Sequence, residues 1–552
     1  MKYITCAAFL LLNFGSALAQ HDHSMMTRPK SAVLIPGLGS QHHPVSTSNP
    51  LAQKFFDQGM ALTYAFNHEE AIRSFKRAAE LDPQLAMAYW GIALALGPNI
   101  NLDVDPEREK LAYDAIQKAL SLAAQAPENE RAYINTLAKR YSIDPKADLK
   151  RLAVDYKNAM RELAKSYPDD LDAATLYAES LMDLRPWQFW SADGKPADGT
   201  EEIVAVLESV LRRNPRHIGA NHYYIHAVEA SGHPEWALAS AQRLMTLTPA
   251  AGHLTHMPAH IFARVGDYEA AAKSNIDGAA ADRAYFKSHG SGGMYPPMYY
   301  SHNLHFLAFA RSMEGRFADA NRAAQQLQGF LAPYVKGTAN SPELVPMVDY
   351  FGVTPTLILV RFHRWADVVK LPTPDRRLPT SNALWHFARG SAFAETGKIS
   401  ESEAELGSLA AAVRSIPADT LYSLNSASSV LNISENVLSA RIALAKGDRK
   451  TAIRHLRIAV DVEDALSYDE PPGWYMPVRE SLGGVLILNG DYVEAEKVFR
   501  ADLEKHARNG RSLFGLMESL KAQGKNLAAE FVKHEFEAAW KTADIRLNVK
   551  DL

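Results

Sequence analysis

Residues 55–83 read FFDQGMALTYAFNHEEAIRSFKRAAELDP, and this stretch decides the fold. Gly59, Ala71, Phe75, Ala78 and Pro83 stand at the small, small, aromatic, small and proline positions of a helix-turn-helix unit of about 34 residues. Small side chains there let paired helices approach closely, and a proline, lacking an N–H, ends the second helix. The frame returns at Ile218–Pro249, where Gly232 makes the turn and Ala237 begins the second-helix contact. It returns again with Gly266 and Ala271, Gly315 and Ala320, Gly447 and Ala452, Gly490 and Ala495, and Gly524 and Ala529. Turn glycines 232 and 266, and likewise 490 and 524, are 34 residues apart (266 − 232 and 524 − 490). Apolar residues at helical spacing fill the rest. The chain is therefore expected to be all-α, with helix pairs stacked into a right-handed solenoid that carries inserted loops.

The landmarks resemble those of the tetratricopeptide-repeat (TPR) superfamily over about Leu51–Thr542. Two narrower stretches, AFNHEEAIRSFKRAAELDP with AMAYWGIALALGPNIN (65–101) and YDEPPGWYMPVRESLG (468–483), are similar to a group of exported bacterial TPR proteins. The resemblance implies the fold, and first-helix positions that line a concave groove. It implies no settled activity.

At the start of the chain, Lys2, the apolar run Ile4–Phe14 and Ala17-Leu18-Ala19 read as a secretory signal peptide, residues 1–19. The expected location is the periplasm or the outside of the cell. No other stretch approaches the roughly 20 apolar residues of a membrane-crossing helix. Cys6, the one cysteine, leaves with the signal, so a metal would be held by nitrogen, oxygen or Met sulfur. With 59 basic and 63 acidic residues and no basic stripe, nucleic acid is not an expected partner. Residues 20–50 lack helical periodicity and read as a mobile leader. Within it, His21, His23, Met25 and Met26 are a set suited to copper. The remainder divides into TPR-like helices at 51–215, histidine-rich repeats at 216–325 and C-terminal repeats at 326–545. Insertions at Gly97–Glu107, Arg185–Gly199 and His289–Tyr300 break the rhythm.

Chemistry concentrates in the middle repeats. His222 and His226, and then His256 and His260, are HxxxH pairs, which set two imidazoles on one helical face about 5–6 Å apart at Cβ. The pairs are 34 residues apart (256 − 222 and 260 − 226), at the fifth and ninth positions of successive first helices. The next repeat places His305 at its fifth position and His302 at its second, matching His253 one repeat earlier. Glu179 holds the ninth position of the preceding helix. This pattern points to a transition-metal site of His222, His226, His256, His260, His302, His305 and Glu179, with copper or zinc the expected ion. Glu229, one turn beyond His226, is a candidate further ligand, orienting partner or general base. The competing readings are a histidine-lined groove for an acidic or aromatic ligand, and histidines that are merely structural.

The segment DEPPGWYMP (469–477) and the helix after it supply Trp474, Tyr475, Arg479 and Glu480. The first three are candidates to contact a ligand, together with Trp187 and Tyr223, and Glu480 is a second candidate for proton transfer. Walker, dinucleotide-binding, GxSxG and HExxH motifs are absent. The leading expectation is an exported repeat protein binding a transition metal and a ligand in its groove. A metal-dependent enzyme using the same site is one alternative. A metal-free scaffold gripping a peptide or protein is the other.

Overall fold

The computed structural model describes residues 31–552. Residues 1–19, read as a signal peptide, and the His21/His23/Met25/Met26 set lie outside the described residues. The chain forms two compact units. The first takes the described residues to Ile261 together with Asp277–Pro296, and the second takes Phe262–Ile276 and Pro297–Leu552.

Both units are runs of helices in which consecutive elements pack side by side, from Pro50–Tyr64 to Asn526–Ala539. Among the described residues the only paired strands are the two-residue hairpin Leu421–Tyr422 with Asn425–Ser426. The founding pair shows why these residues form helices. The Asn49 side chain accepts the N–H groups of Leu51 and Ala52, and Pro50 opens the helix Pro50–Tyr64. Asn67 caps His68–Leu81, whose first turn carries Glu69 and Glu70 against the positive end of the helix dipole. Phe75 locks the pair. A Cβ on Gly59 would lie 2.5 Å from its ring, and so would a Cβ on Gly91 of the next helix. Phe499 plays the same part in the second unit between Gly483 and Gly515.

The turn position is left-handed along the chain. Gly266, Gly315, Gly397, Gly447, Gly490 and Gly524 have φ between +72° and +89°. Gly397 joins the glycines that the spacing marked. At Gly232 the second helix starts differently, through the 3-10 turn Pro234–Ala237. Phe66 (φ +55°) and His363 (φ +52°) occupy the same turn position without being glycine.

Residues 31–49, expected to belong to a mobile leader, instead run along the first unit as a strap. Ile35 N donates to Gln58 Oε1, Gln58 Nε2 donates to Val33 O, and Ser46 Oγ donates to Glu130. Ala250 N donates to Gly37 O, and His43 is buried against Asp172. An aperiodic segment held by side-chain hydrogen bonds leaves no repeating signal in sequence. One further expectation was too strong. Pro342–Arg361 is 20 residues long and apolar enough to cross a membrane. Here it is mostly buried, and it is interrupted at Val353 between the helices Val345–Gly352 and Thr354–Arg361.

Candidate functional site

The histidine helix Ile218–Val228 is buried on every side. The His217 ring starts it by accepting the N–H of Ala220. The helix Pro50–Tyr64, some 160 residues earlier in sequence, lies against it. A Cβ on Gly219 would sit 2.5 Å from the Tyr64 ring. Within the first unit this return of the chain covers what the repeat pattern predicted to be an open groove. His222, His226, His256 and His260 are at most 2% exposed, so they are interior residues.

The second pair is not on one continuous helix. Pro258 lacks an N–H, so the ladder breaks between Gly252–His256 and Pro258–Arg264, and His260 N reaches back only three residues to Met257 O. The two rings nevertheless face each other, with Nε2 atoms 2.9 Å apart.

Each ring's outer nitrogen is anchored. His222 Nδ1 lies 2.6 Å from Tyr64 O, and because a carbonyl only accepts, this nitrogen carries the proton. His226 Nδ1 donates to Glu229 Oε1 at 2.6 Å, and His260 Nδ1 donates to Glu229 Oε2 at 2.5 Å. One carboxylate thereby orients two imidazoles from successive repeats and fixes their tautomers, as in carboxylate–histidine–metal arrangements. The Nε2 lone pairs are left pointing inward. His226 Nε2 is buried and makes no hydrogen bond. His222 Nε2 lies 3.2 Å from Nε2 of His253. Ligand nitrogens of His222, His226 and His253 all fall within 4.8 Å of one another.

The electrostatics keep these groups in ligating form. Burial, with the neighbouring His226 second, pushes the His222 imidazole well below 6.5. Burial also lowers His226, against the opposing pull of Glu229. For Glu229 burial favours the neutral acid, but His260 and His226 together outweigh it and hold the carboxyl below its ordinary range. His222 and His226 are thereby biased toward the neutral imidazole, the state in which Nε2 lone pairs are available.

Aromatic rings enclose the cluster. Phe66 lies 4.6 Å from the His222 ring and stacks on His253 and His226 at 5.5 and 6.0 Å. Trp187 meets His226 edge-on at 5.2 Å, as its place on an inserted loop allows. Both residues have positive φ, at +55° and +62°. A strained non-glycine backbone persists only where its surroundings dictate it. In Phe66 a turn position filled by glycine in other repeats delivers an aromatic wall instead.

The other predicted residues have surroundings of their own. Glu179 belongs to a buried group with Asp183 and Arg140. Burial and Asp183 push its carboxyl well up, against Arg140, which favours the neutral acid over the ligating carboxylate. Tyr223 is core, packed between Tyr64 and Phe66 with both ring centroids 6.0 Å away. His302 and His305 belong to the second unit. There His305 stacks on Tyr475 at 5.3 Å, and burial pushes it down to about 3. His302 is partly exposed beside Phe306. Tyr475 donates its hydroxyl to His305 O, and Trp474 packs on Phe387. Arg479 makes a two-pronged pair with Asp464. Glu480 is buried and bonded to Arg361 and Asn509, so it is a structural counter-ion and not a free base.

Sequence reasoning missed His253 as a ligand, Phe66 as a wall, and His43. His253 carried a signal, since it stands one turn before His256 and repeats as His302. His43 reaches the first unit through the strap. Its Nδ1 lies 2.9 Å from Asp172, which also accepts from the Tyr64 hydroxyl at 2.6 Å and faces His217 Nε2 at 3.1 Å.

No protein-family profile and no curated protein sequence matches this chain. Among solved structures it is similar to the APC/C hetero-tetramer Cut9-Hcn1, at 14% identity and a TM-score of 0.29 over 91% of this chain and 75% of that one. It is also similar to human IFIT1, solved as a dimer with m7Gppp-AAAA, at 12%, 0.31, 90% and 91%. Yeast Tom70 matches at 11%, 0.29, 88% and 89%. At these scores the likeness carries no argument. The all-helical paired-repeat fold stands on the chain's own helices.

Proposed function

We propose that this chain is an exported helical-repeat protein whose first unit binds a transition-metal ion through Nε2 of His222, His226 and His253, with Glu229 and the Tyr64 carbonyl orienting the rings. The observation that carries this reading is the Glu229 bridge. A buried carboxylate takes both outer nitrogens of His226 and His260, and the Nε2 atom of His226 points into the cluster with no partner. Neutral nitrogen lone pairs converging at about 3 Å repel one another unless a proton or a cation lies between them. Imidazoles 2.0–2.1 Å from a tetrahedral zinc ion would stand about 3.4 Å apart, close to the spacing found. An all-imidazole donor set suits zinc or copper. The export reading rests on residues 1–19. Burial of the histidines argues against an extended peptide lying on them, which favours the metal reading over the open scaffold.

The test is metal analysis of the tag-free mature protein and of His226→Asn. Asn keeps a donor for Glu229 where Nδ1 was and removes Nε2. Bound metal should fall by at least an order of magnitude in the variant, as expected for loss of a direct ligand. Full metal content in folded His226→Asn would overturn the assignment.

A further inference from the structure

Resting on that reading, we propose that the cluster holds two neighbouring metal ions instead of one, linked by Glu229 through the outer nitrogens of His226 and His260. Two nitrogens bound to one ion at 2.0–2.1 Å cannot be more than about 4.2 Å apart. His222, His226 and His253 form one group with ligand nitrogens within 4.8 Å of one another, so small side-chain shifts would bring them onto one ion. His256 and His260 form a separate inward-facing pair, with Nε2 atoms 2.9 Å apart. The groups are neighbours: the His226 and His260 rings are 5.8 Å apart, and the His253 and His256 rings 5.9 Å.

Five buried imidazoles exceed what one tetrahedral ion accepts. A single-ion site would leave two of these imidazoles outside the coordination sphere. Two positions account for the whole set: the 34-residue step copies the HxxxH pair, and His253 of the second repeat joins the first pair. Glu229 then acts on both. Its two oxygens each hold one ring, one from either position, so occupation of one shifts the charge felt at the other. The first position has three imidazoles. From the first unit the second position takes His256 and His260, and further donors complete its coordination. Both would take an imidazole-preferring divalent ion of the zinc and copper type.

The experiment titrates metal-stripped mature protein with Zn²⁺ and with Cu²⁺, and counts equivalents by calorimetry and elemental analysis. His21→Ser/His23→Ser is the background throughout, so that the leader adds nothing to the count. Two equivalents are expected. His222→Asn and His256→Asn, each retaining an amide in place of the ring, should each leave one, and Glu229→Gln should weaken both about 10–100-fold. In the copper form, magnetic coupling between neighbouring ions should diminish the resonance signal of the doubly loaded protein and return it in either single variant. One equivalent, abolished alike by His222→Asn and His256→Asn, would overturn the two-ion arrangement while leaving the metal site itself intact. Two equivalents that survive both variants would place the ions elsewhere and overturn it too. No binding at all would remove both this inference and the reading beneath it. Circular dichroism of each variant separates loss of a site from loss of the fold.

Discussion

The Phe75 ring occupies the space that a Cβ on Gly59 would need, with Cε1 only 2.5 Å from that position. The aromatic of the second helix thus fits against the bare backbone of the first, and the pair can approach only because residue 59 has no side chain. Gly59→Ala should therefore destabilise the first unit by about 1–3 kcal/mol through overpacking. Gly407 is the control. It lies inside the helix Ile399–Ser415 with open space where its Cβ would be. There alanine should stabilise by about 0.5–1 kcal/mol, since glycine is the poorer helix former. Thermal unfolding of the two variants should move in opposite directions, and equal shifts would contradict the wedge.

His43 gives the strap a pH dependence with a definite sign. Burial disfavours its charge, but Asp172 at hydrogen-bond distance, with Asp170 and Asp57 further off, raises its pKa above 6.5. A group whose folded pKa is raised contributes stability that is fully present below the unfolded value of 6.5 and is lost as pH climbs through the folded value. Asp172 stays a carboxylate in that range, because burial is outweighed by its bonds to His217 and His43. Hydrogen exchange in residues 31–49, corrected for its intrinsic pH dependence, should accelerate from about pH 6 to about pH 9. Asp172→Asn should remove the difference. Exchange that slows at high pH would show that the strap is held by something else.

The paired helices, the turn glycines and the Phe75 wedge were legible in the sequence because they are local and recur every 34 residues. The two HxxxH pairs were legible for the same reason. What could not be read was the return of Pro50–Tyr64 onto Ile218–Val228. This contact spans 158 residues between Tyr64 O and His222 Nδ1 and follows no period. It changes the expected groove histidines into interior ones. The surroundings of Glu179 were illegible for a related reason. The repeat frame gave its position along a helix, but not the Asp183 and Arg140 that surround it. Residues 31–49 carried no periodic pattern, and their order comes from individual hydrogen bonds.

The burial of His226 changes what an alanine should do there. At a groove position His226→Ala would cost little stability. In the interior it leaves a cavity and takes one donor from the buried Glu229 carboxylate, which His226 and His260 stabilise. Leaving a buried charged acceptor without one of its donors costs about 1–3 kcal/mol, to which the cavity adds. His226→Ala should therefore lose both metal and stability. His226→Asn should lose the metal but recover most of the stability by donating to Glu229. Chemical denaturation of the metal-free forms separates these terms, since no bound ion then contributes. If the metal-free Ala and Asn variants are equally stable, the Glu229 bond is not what holds this helix end.

Glu480 is the remaining test, because sequence position made it a proton-transfer candidate and the structure makes it a counter-ion. Both its oxygens face Arg361, at 3.2 and 3.3 Å, and Asn509 Nδ2 donates to it at 2.8 Å. Arg361 and Glu480 are almost fully buried. Glu480→Ala would leave the Arg361 guanidinium in the interior without its carboxylate, which should cost the second unit about 3–5 kcal/mol. Replacing both charges with apolar groups of similar volume, Arg361→Met with Glu480→Leu, should recover much of that loss, because neither ion is then desolvated. Arg511, also near Glu480, keeps the carbonyl oxygens of Arg361 and Asp551 as acceptors in the double variant. Metal content should match the parent in both variants, since neither residue belongs to the histidine cluster. A proton-transfer role predicts the reverse: normal stability for Glu480→Gln, and lost turnover that the apolar double variant does not restore. Stability recovered in the double variant with unchanged metal identifies the pair as structural.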